Sequence, residues 1–251
     1  MKKLAAFSAL AVLMVLTSTA SAGGDKNRGE IGAGDTYENA CPDQPCYETA
    51  PKPGASDAVL AAAAPAAAEL DEAEVAHLLF IREEEKMARD VYLVLYEIWG
   101  SPVFANIAES EQAHMDAMKN LLDFYGIPDP AADDTVGVFS DPNIGALYLR
   151  LVEWGSASEA DAFLVGGFIE EYDILDLWKA YEETDEDRIK TVYRNLYEGS
   201  YNHLDAFVYN YGSLTGKSYV PQLLTDAEYD LVMAYATQAK QTQSPKQKKG
   251  K

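Results

Sequence analysis

Basic residues are scarce in this chain, and histidine and cysteine are scarcer. Only 20 Lys and Arg stand against 41 Asp and Glu, giving a formal net charge of −21 over 251 residues. Nucleic acid and anionic membranes both call for a cationic face, so neither is an expected partner. Two cysteines cannot staple a fold. They frame Cys41-Pro-Asp-Gln-Pro-Cys46, where a disulfide closing the small loop is expected if the chain is exported. A two-Cys metal site would need a further His or Cys nearby, and the sequence has none there. No segment of useful length alternates with the period of a strand, and no fixed-period repeat is present. What remains is helix.

The longest apolar run, Leu4 to Leu16, is too short for a membrane span. Lys2 and Lys3 precede it and Ala20-Ser21-Ala22 follows, so residues 1–22 read as a signal peptide cleaved near Ala22. The expected location is therefore periplasmic or extracellular. Residues 23–69 are rich in Ala, Pro and Gly without amphipathic period, and read as a flexible tether carrying Cys41 and Cys46. Residues 240–251 read as a basic, disordered tail.

Between them, residues 70–239 carry helical punctuation. Asp71 and Glu74 form a capping box, with Leu70 and Val75 as its staple, and Gly100 ends the helix. Ser101-Pro102 opens a second helix that closes at Gly126. A turn-rich crossing follows, then a short helix from Pro142 to Trp154. Ser156 with Glu159 is read as the cap of a third long helix running to about Tyr181. Thr184 and Asp187 begin the fourth, which is expected to end near Gly212. A last helix runs from Thr225 to about Ala239. The expected fold is all-α: a ferritin-like four-helix bundle of two hairpins joined by a long crossover, with an extra C-terminal helix.

The inward stripes carry the chemistry. Phe104, Ile107, Glu111, His114, Met118, Leu121 and Tyr125 line one face of the second helix, apolar except at Glu111 and His114. A carboxylate and an imidazole one turn apart on a buried face are costly unless something pairs with them. Glu-x-x-His facing into a bundle is the arrangement of carboxylate-bridged di-iron and di-manganese sites. The first helix offers Glu85 on a stripe with Leu78, Ile81, Ala88 and Tyr92, while Glu84 lies on a competing stripe nearly as apolar. The third offers Glu170 or Glu171 on two stripes that pattern alone does not separate, with Asp173 close by. The fourth places His203 beside Ser200. Of three histidines in the chain, two fall on the inner face of the second helix of each hairpin; the third, His77, lies near the start of the first helix.

Glu85-Lys-Met-Ala-Arg-Asp-Val-Tyr92 resembles the Glu-x-x-Ala-x-x-x-Tyr pattern of rubrerythrins and ferritins. Arg82 to Tyr92, Ser110-Glu-Gln-Ala-His-Met115, Ile169-Glu-Glu-Tyr-Asp-Ile174 and Gly199-Ser-Tyr-Asn-His-Leu204 together resemble the DUF2202 family, over roughly residues 70 to 235. That resemblance implies a ferritin-like bundle and a metal site, without implying a reaction. By position, it implies metal ligands at Glu85, Glu111, His114, Glu170 or Glu171, and His203. Ser200 departs from the di-iron pattern, which has a bridging Glu there; Asp173 or the second Glu of the pair is the candidate replacement. The implied cofactor is iron or manganese, as one or two ions, and a homodimer is left open. Two function classes follow: a redox or ferroxidase-like protein, in which Tyr92 relays an electron or is simply a core aromatic, and a non-catalytic metal-binding or structural envelope protein with a degenerate site.

Overall fold

The computed structural model describes residues 70–243; the signal-peptide, tether and disulfide readings, and the tail beyond Gln243, lie outside them. The described residues are all-helical. Their elements are α1 (Glu72–Trp99), α2 (Pro102–Tyr125), α3 (Pro142–Gly155), α4 (Glu159–Glu183), α5 (Asp187–Thr215) and α6 (Asp226–Gln243).

The caps explain the boundaries. Asp71 accepts from the backbone N–H groups of Ala73 and Glu74, and Glu74 accepts in return from the backbone of Asp71. Gly100, Gly126 and Gly216 end α1, α2 and α5 in the left-handed conformation that a glycine takes without strain. Three boundaries differ from the sequence reading. Ser158, not Ser156, caps α4, by accepting from Asp161 N–H, so α4 starts two residues after its expected signal. The α5 helix runs past Gly212 to Thr215. The α6 helix continues beyond Ala239 to Gln243.

Helix α1 pairs with α2 and α4 with α5, while α1 also packs on α4 and α2 on α5. These four contacts close a ring around a common core, with α3 against α1 and α4 and α6 against α5. One end of the core is aromatic: Tyr92, Phe104, Phe163 and Phe207 lie together, with Phe104 stacked on Phe163 at 5.4 Å between centroids. The other end is built on Leu78, Ile81, Met118, Leu122, Leu177 and Leu196. The polar layer lies between them.

Helix α1 is buried all round from Arg82 to Tyr92, which a single amphipathic stripe does not foresee. The crossover from α2 to α3 covers its outward face through ionic contacts. Arg82 forks onto Asp129 with two bonds of 3.0 Å, and Lys86 donates to the Thr135 carbonyl at 2.8 Å. Asp90 accepts from Gly137 N–H and Glu83 from the N–H groups of Ser140 and Asp141. The buried charges on this outward face are thus met by counter-charges or backbone dipoles, as burial of an ion requires. This strapping fixes the rotation of α1, and hence which of its carboxylates faces the centre.

Candidate metal centre

Five side chains from all four long helices converge between the two apolar ends of the core: Glu85 from α1, Glu111 and His114 from α2, Glu170 from α4 and His203 from α5. All are buried. Their oxygens and nitrogens form two nests, Glu85–Glu111–His114 and Glu111–Glu170–His203, that share Glu111. Glu111 Oε2 lies 2.8 Å from His114 Nδ1, and Oε1 lies 2.8 Å from His203 Nδ1. Glu85 Oε2 lies 3.2 Å from His114 Nδ1, and Glu170 Oε2 lies 3.3 Å from His203 Nδ1. The two imidazoles stack with their centroids 5.4 Å apart.

The surroundings hold these rings in place. Ser110 Oγ lies 2.9 Å from His203 Nε2, fixing the nitrogen that faces away from the carboxylates. Gly199 makes room for His114: a Cβ there would sit 2.7 Å from Nε2. Tyr92 donates its hydroxyl to Glu170 Oε1. Neither Ser110 nor Gly199 was given a role from the sequence, although a glycine in mid-helix, one residue before a stripe serine and four before a stripe histidine, is a signal of close approach.

Burial works to protonate Glu85, and despite the opposing charge of His114 its carboxyl is pushed up to about 8. Burial also works against the charge on Glu111, but His203 and His114 outweigh it and hold that carboxyl below the usual range. Burial disfavours the imidazolium of His203, yet Glu111 and Glu170 raise it to about 9. The charges of Glu85 and Glu111 likewise overcome burial and keep His114 well above its ordinary value. Glu170 is raised by burial and by Glu111. In the metal-free protein, then, protons balance the carboxylates.

Two atoms of the centre are left over. Glu85 Oε1 and His203 Nδ1 have no aligned hydrogen bond among the described residues, although His203 Nδ1 sits within 3.3 Å of two carboxylates. Buried atoms of this kind are costly in a purely structural network. They are the atoms a metal ion would use, and the donor set of carboxylate oxygen and imidazole nitrogen fits iron, manganese or zinc.

The other candidates separate cleanly. Glu171 does not join the centre. It turns toward the segment before α6, where it accepts from Tyr219 Oη at 2.6 Å and from the backbone N–H groups of Gln222, Leu223 and Leu224. Glu170 and Glu171 are neighbours on α4 that point to different partners, Glu170 to His203 and Tyr92 and Glu171 to the segment before α6. Asp173 is buried beside the centre, with Oδ2 accepting from Ser200 Oγ at 2.5 Å. The neutral hydroxyl on α5 thus orients a carboxylate supplied by α4. His77 lies apart from the other two histidines, with Nε2 3.3 Å from Glu183.

The chain spans nearly all of the known proteins it resembles. It is 51% identical over 172 residues to Uncharacterized protein MJ0754 of Methanocaldococcus jannaschii, covering 67% of this chain and 91% of that protein. The crystal structure of hypothetical protein MJ0754 from Methanococcus jannaschii DSM 2661 is similar with a TM-score of 0.66 at 48% identity, covering 68% of this chain and 98% of that one. Residues 74–236 match the family described as "Uncharacterized protein domain (DUF2202)", and the chain belongs to that DUF2202 family.

Proposed function

We propose that this is an exported protein of ferritin-like architecture, whose core holds a carboxylate- and histidine-ligated centre for one or two iron or manganese ions, with a redox or ferroxidase-like role. The observation that carries the reading is Glu111. Its two oxygens face two different histidines in two nests that share no other residue. Were two cations bound, Glu85, Glu111 and His114 would hold one, and Glu111, Glu170 and His203 the other, so that Glu111 would serve both. A redox metal bound there supplies one-electron chemistry toward oxygen or peroxide.

The chain's own contributions are positioning and proton balance. Ser110 orients His203, Gly199 admits His114, and Tyr92 orients Glu170 while keeping its own proton. Burial, then the charge of Glu170, holds that phenol well above its ordinary value. Loading a cation requires the protons on His114, His203 and Glu85 to leave, so metal and protons compete for one cluster.

A second reading, a polar network that only orders the core, is favoured by one contact: His114 Nδ1 and Glu85 Oε2 make an aligned hydrogen bond without any metal. Metal analysis separates the two. Protein produced in iron- or manganese-supplemented medium should carry about one to two equivalents, and His114→Ala should lose most of it while Lys119→Ala, on the exposed face of α2, does not. Negligible metal in all three proteins, with only the thermal stability of His114→Ala reduced, would establish the structural reading. Aerobic oxidation of Fe(II) by wild type but not by His114→Ala would then assign the redox role.

A further inference from the structure

The centre does not account for all the buried acid around it. Glu84 is 1% exposed, and neither of its carboxylate oxygens has a hydrogen-bond partner among the described residues. The charges acting on it most strongly are Asp176 and Asp173 of α4, ahead of Glu85 and Glu170. Asp173 also leaves one oxygen, Oδ1, without a partner. Asp176 is half-buried, one turn further along α4.

The cations of α1 are committed elsewhere: Arg82 to Asp129, Lys86 to Asp90, and Arg89 to Asp90 and Asp134. Glu84 and Asp173, on two packed helices, are therefore buried carboxylates with unpartnered oxygens, and Asp176 carries a third carboxyl within electrostatic reach of Glu84. The cation that acts on Asp176, Lys179 of α4, makes no ion pair with it among the described residues. Isolated buried carboxylates are costly, and a divalent cation relieves several at once. Oxygen-only donors select a hard ion, such as Mg²⁺, Ca²⁺ or Mn²⁺. Their oxygens do not converge as closely as those of the two nests, which suits an ion that keeps part of its water shell.

We propose that Glu84, Asp173 and Asp176 form a second, outer cation position between α1 and α4, through which a partly hydrated divalent ion passes from solvent to the Glu85–Glu111 centre. The proposal rests on the metal-centre reading above. Asp176 is the solvent-side ligand, Glu84 the buried one, and Asp173, held by Ser200, the carboxylate next to the centre. Asp173 supports that placement: after burial, the largest influence on it is the charge of Glu85.

Crystals of the full chain soaked in Mn²⁺ test the position, and the rate at which Co²⁺ fills the centre, followed by its visible absorbance, tests the route. Wild type should show anomalous density at the two nests and at a further site between Glu84 and Asp176. Glu84→Gln and Asp176→Asn should each lose the further peak, keep the nests, and slow Co²⁺ loading at least tenfold. Asp176→Asn, at a half-buried position, guards against misfolding of the core variant. Filled nests with no density near Glu84 in wild type, and loading rates unchanged in both variants, would overturn the outer position alone. Empty nests in wild type would instead overturn the metal-centre reading and this proposal with it.

Discussion

Replacing Gly199 by alanine would place a single methyl group against the ring of His114. The new Cβ would lie 2.7 Å from Nε2 and 2.9 Å from Cε1. Ordinary contact begins near 3.4 Å, so the ring must give way by about 0.7 Å. Its retreat is blocked on the other edge, where Nδ1 sits 2.8 Å from Glu111 and 3.2 Å from Glu85. Functional groups hold their geometry to within about 0.5 Å, so this shift exceeds the tolerance of a ligand. The expected loss of Mn²⁺ affinity is about 10- to 100-fold, the range seen when the support of a ligating histidine is disturbed. The helix itself should not suffer, because alanine is favoured over glycine in a helix interior by about 0.5–1 kcal/mol. Calorimetric titration of wild type and Gly199→Ala with Mn²⁺, beside melting curves of the metal-free proteins, reads both effects. Wild-type affinity in Gly199→Ala with an unchanged melting temperature would refute the argument that the ring position matters to binding.

Two further outcomes follow from the polar groups on either side of the centre. Glu171→Gln should destabilise the protein by about 1–3 kcal/mol, because the amide cannot accept from Tyr219 and three backbone N–H groups as the carboxylate does; bound metal should be unchanged, and a fall in metal content would show that Glu171 belongs to the centre after all. Metal-free protein should lose stability as pH rises from 5 to 9. Glu85 keeps its proton to about 8 when folded but releases it near 4.5 when unfolded, and His203 keeps its proton to about 9 against an ordinary 6.5. In both cases the folded state binds more protons across the interval, so each group contributes a falling slope of up to about 1.4 kcal/mol per pH unit. Below that interval Glu111 acts in the opposite sense, since its stabilisation is lost as pH falls through its depressed value. Thermal melts of chelator-treated protein check this, and a melting temperature that is flat or rising between pH 6 and 8 would show that the centre is not protonated in this way.

The helices were legible because their signals are local. Asp71 with Glu74 and the glycines at 100 and 126 act within one turn, so the chain states its own boundaries there. Where two signals competed, the nearer one won: Ser158 lies closer to the first apolar turn of α4 than Ser156 and takes the cap. Glu111, His114 and His203 were legible for a related reason, as polar residues on otherwise apolar faces. What periodicity could not foresee was the second burial of α1. Arg82, Glu83, Lys86, Arg89 and Asp90 lie off the apolar stripe, and they are buried because a turn-rich crossover folds back over them. That contact is long-range, and its partners are Asp129, Asp134 and backbone groups of a loop with no pattern of its own.

The same long-range logic governs the charge of the centre. Counted on the positions implied by resemblance, with Ser200 neutral, Glu85, Glu111 and one α4 glutamate give three negative charges, one short of two divalent cations. The structure changes that count through Ser200 itself. Its hydroxyl does not replace a carboxylate; it orients one, by donating to Asp173 at 2.5 Å. Asp173 is buried beside Glu85, and Glu85, Glu111 and Glu170 all act on it electrostatically. With Asp173 counted beside Glu85, Glu111 and Glu170, four carboxylates would be on hand to neutralise a pair of divalent ions, were the centre to hold two, without an external anion. The fourth charge comes from α4 rather than α5, at the position where the acidic pocket of Glu84 and Asp176 begins. A position that looks like the loss of a bridging ligand is, in this arrangement, one that holds a buried carboxylate of α4 by a hydrogen bond.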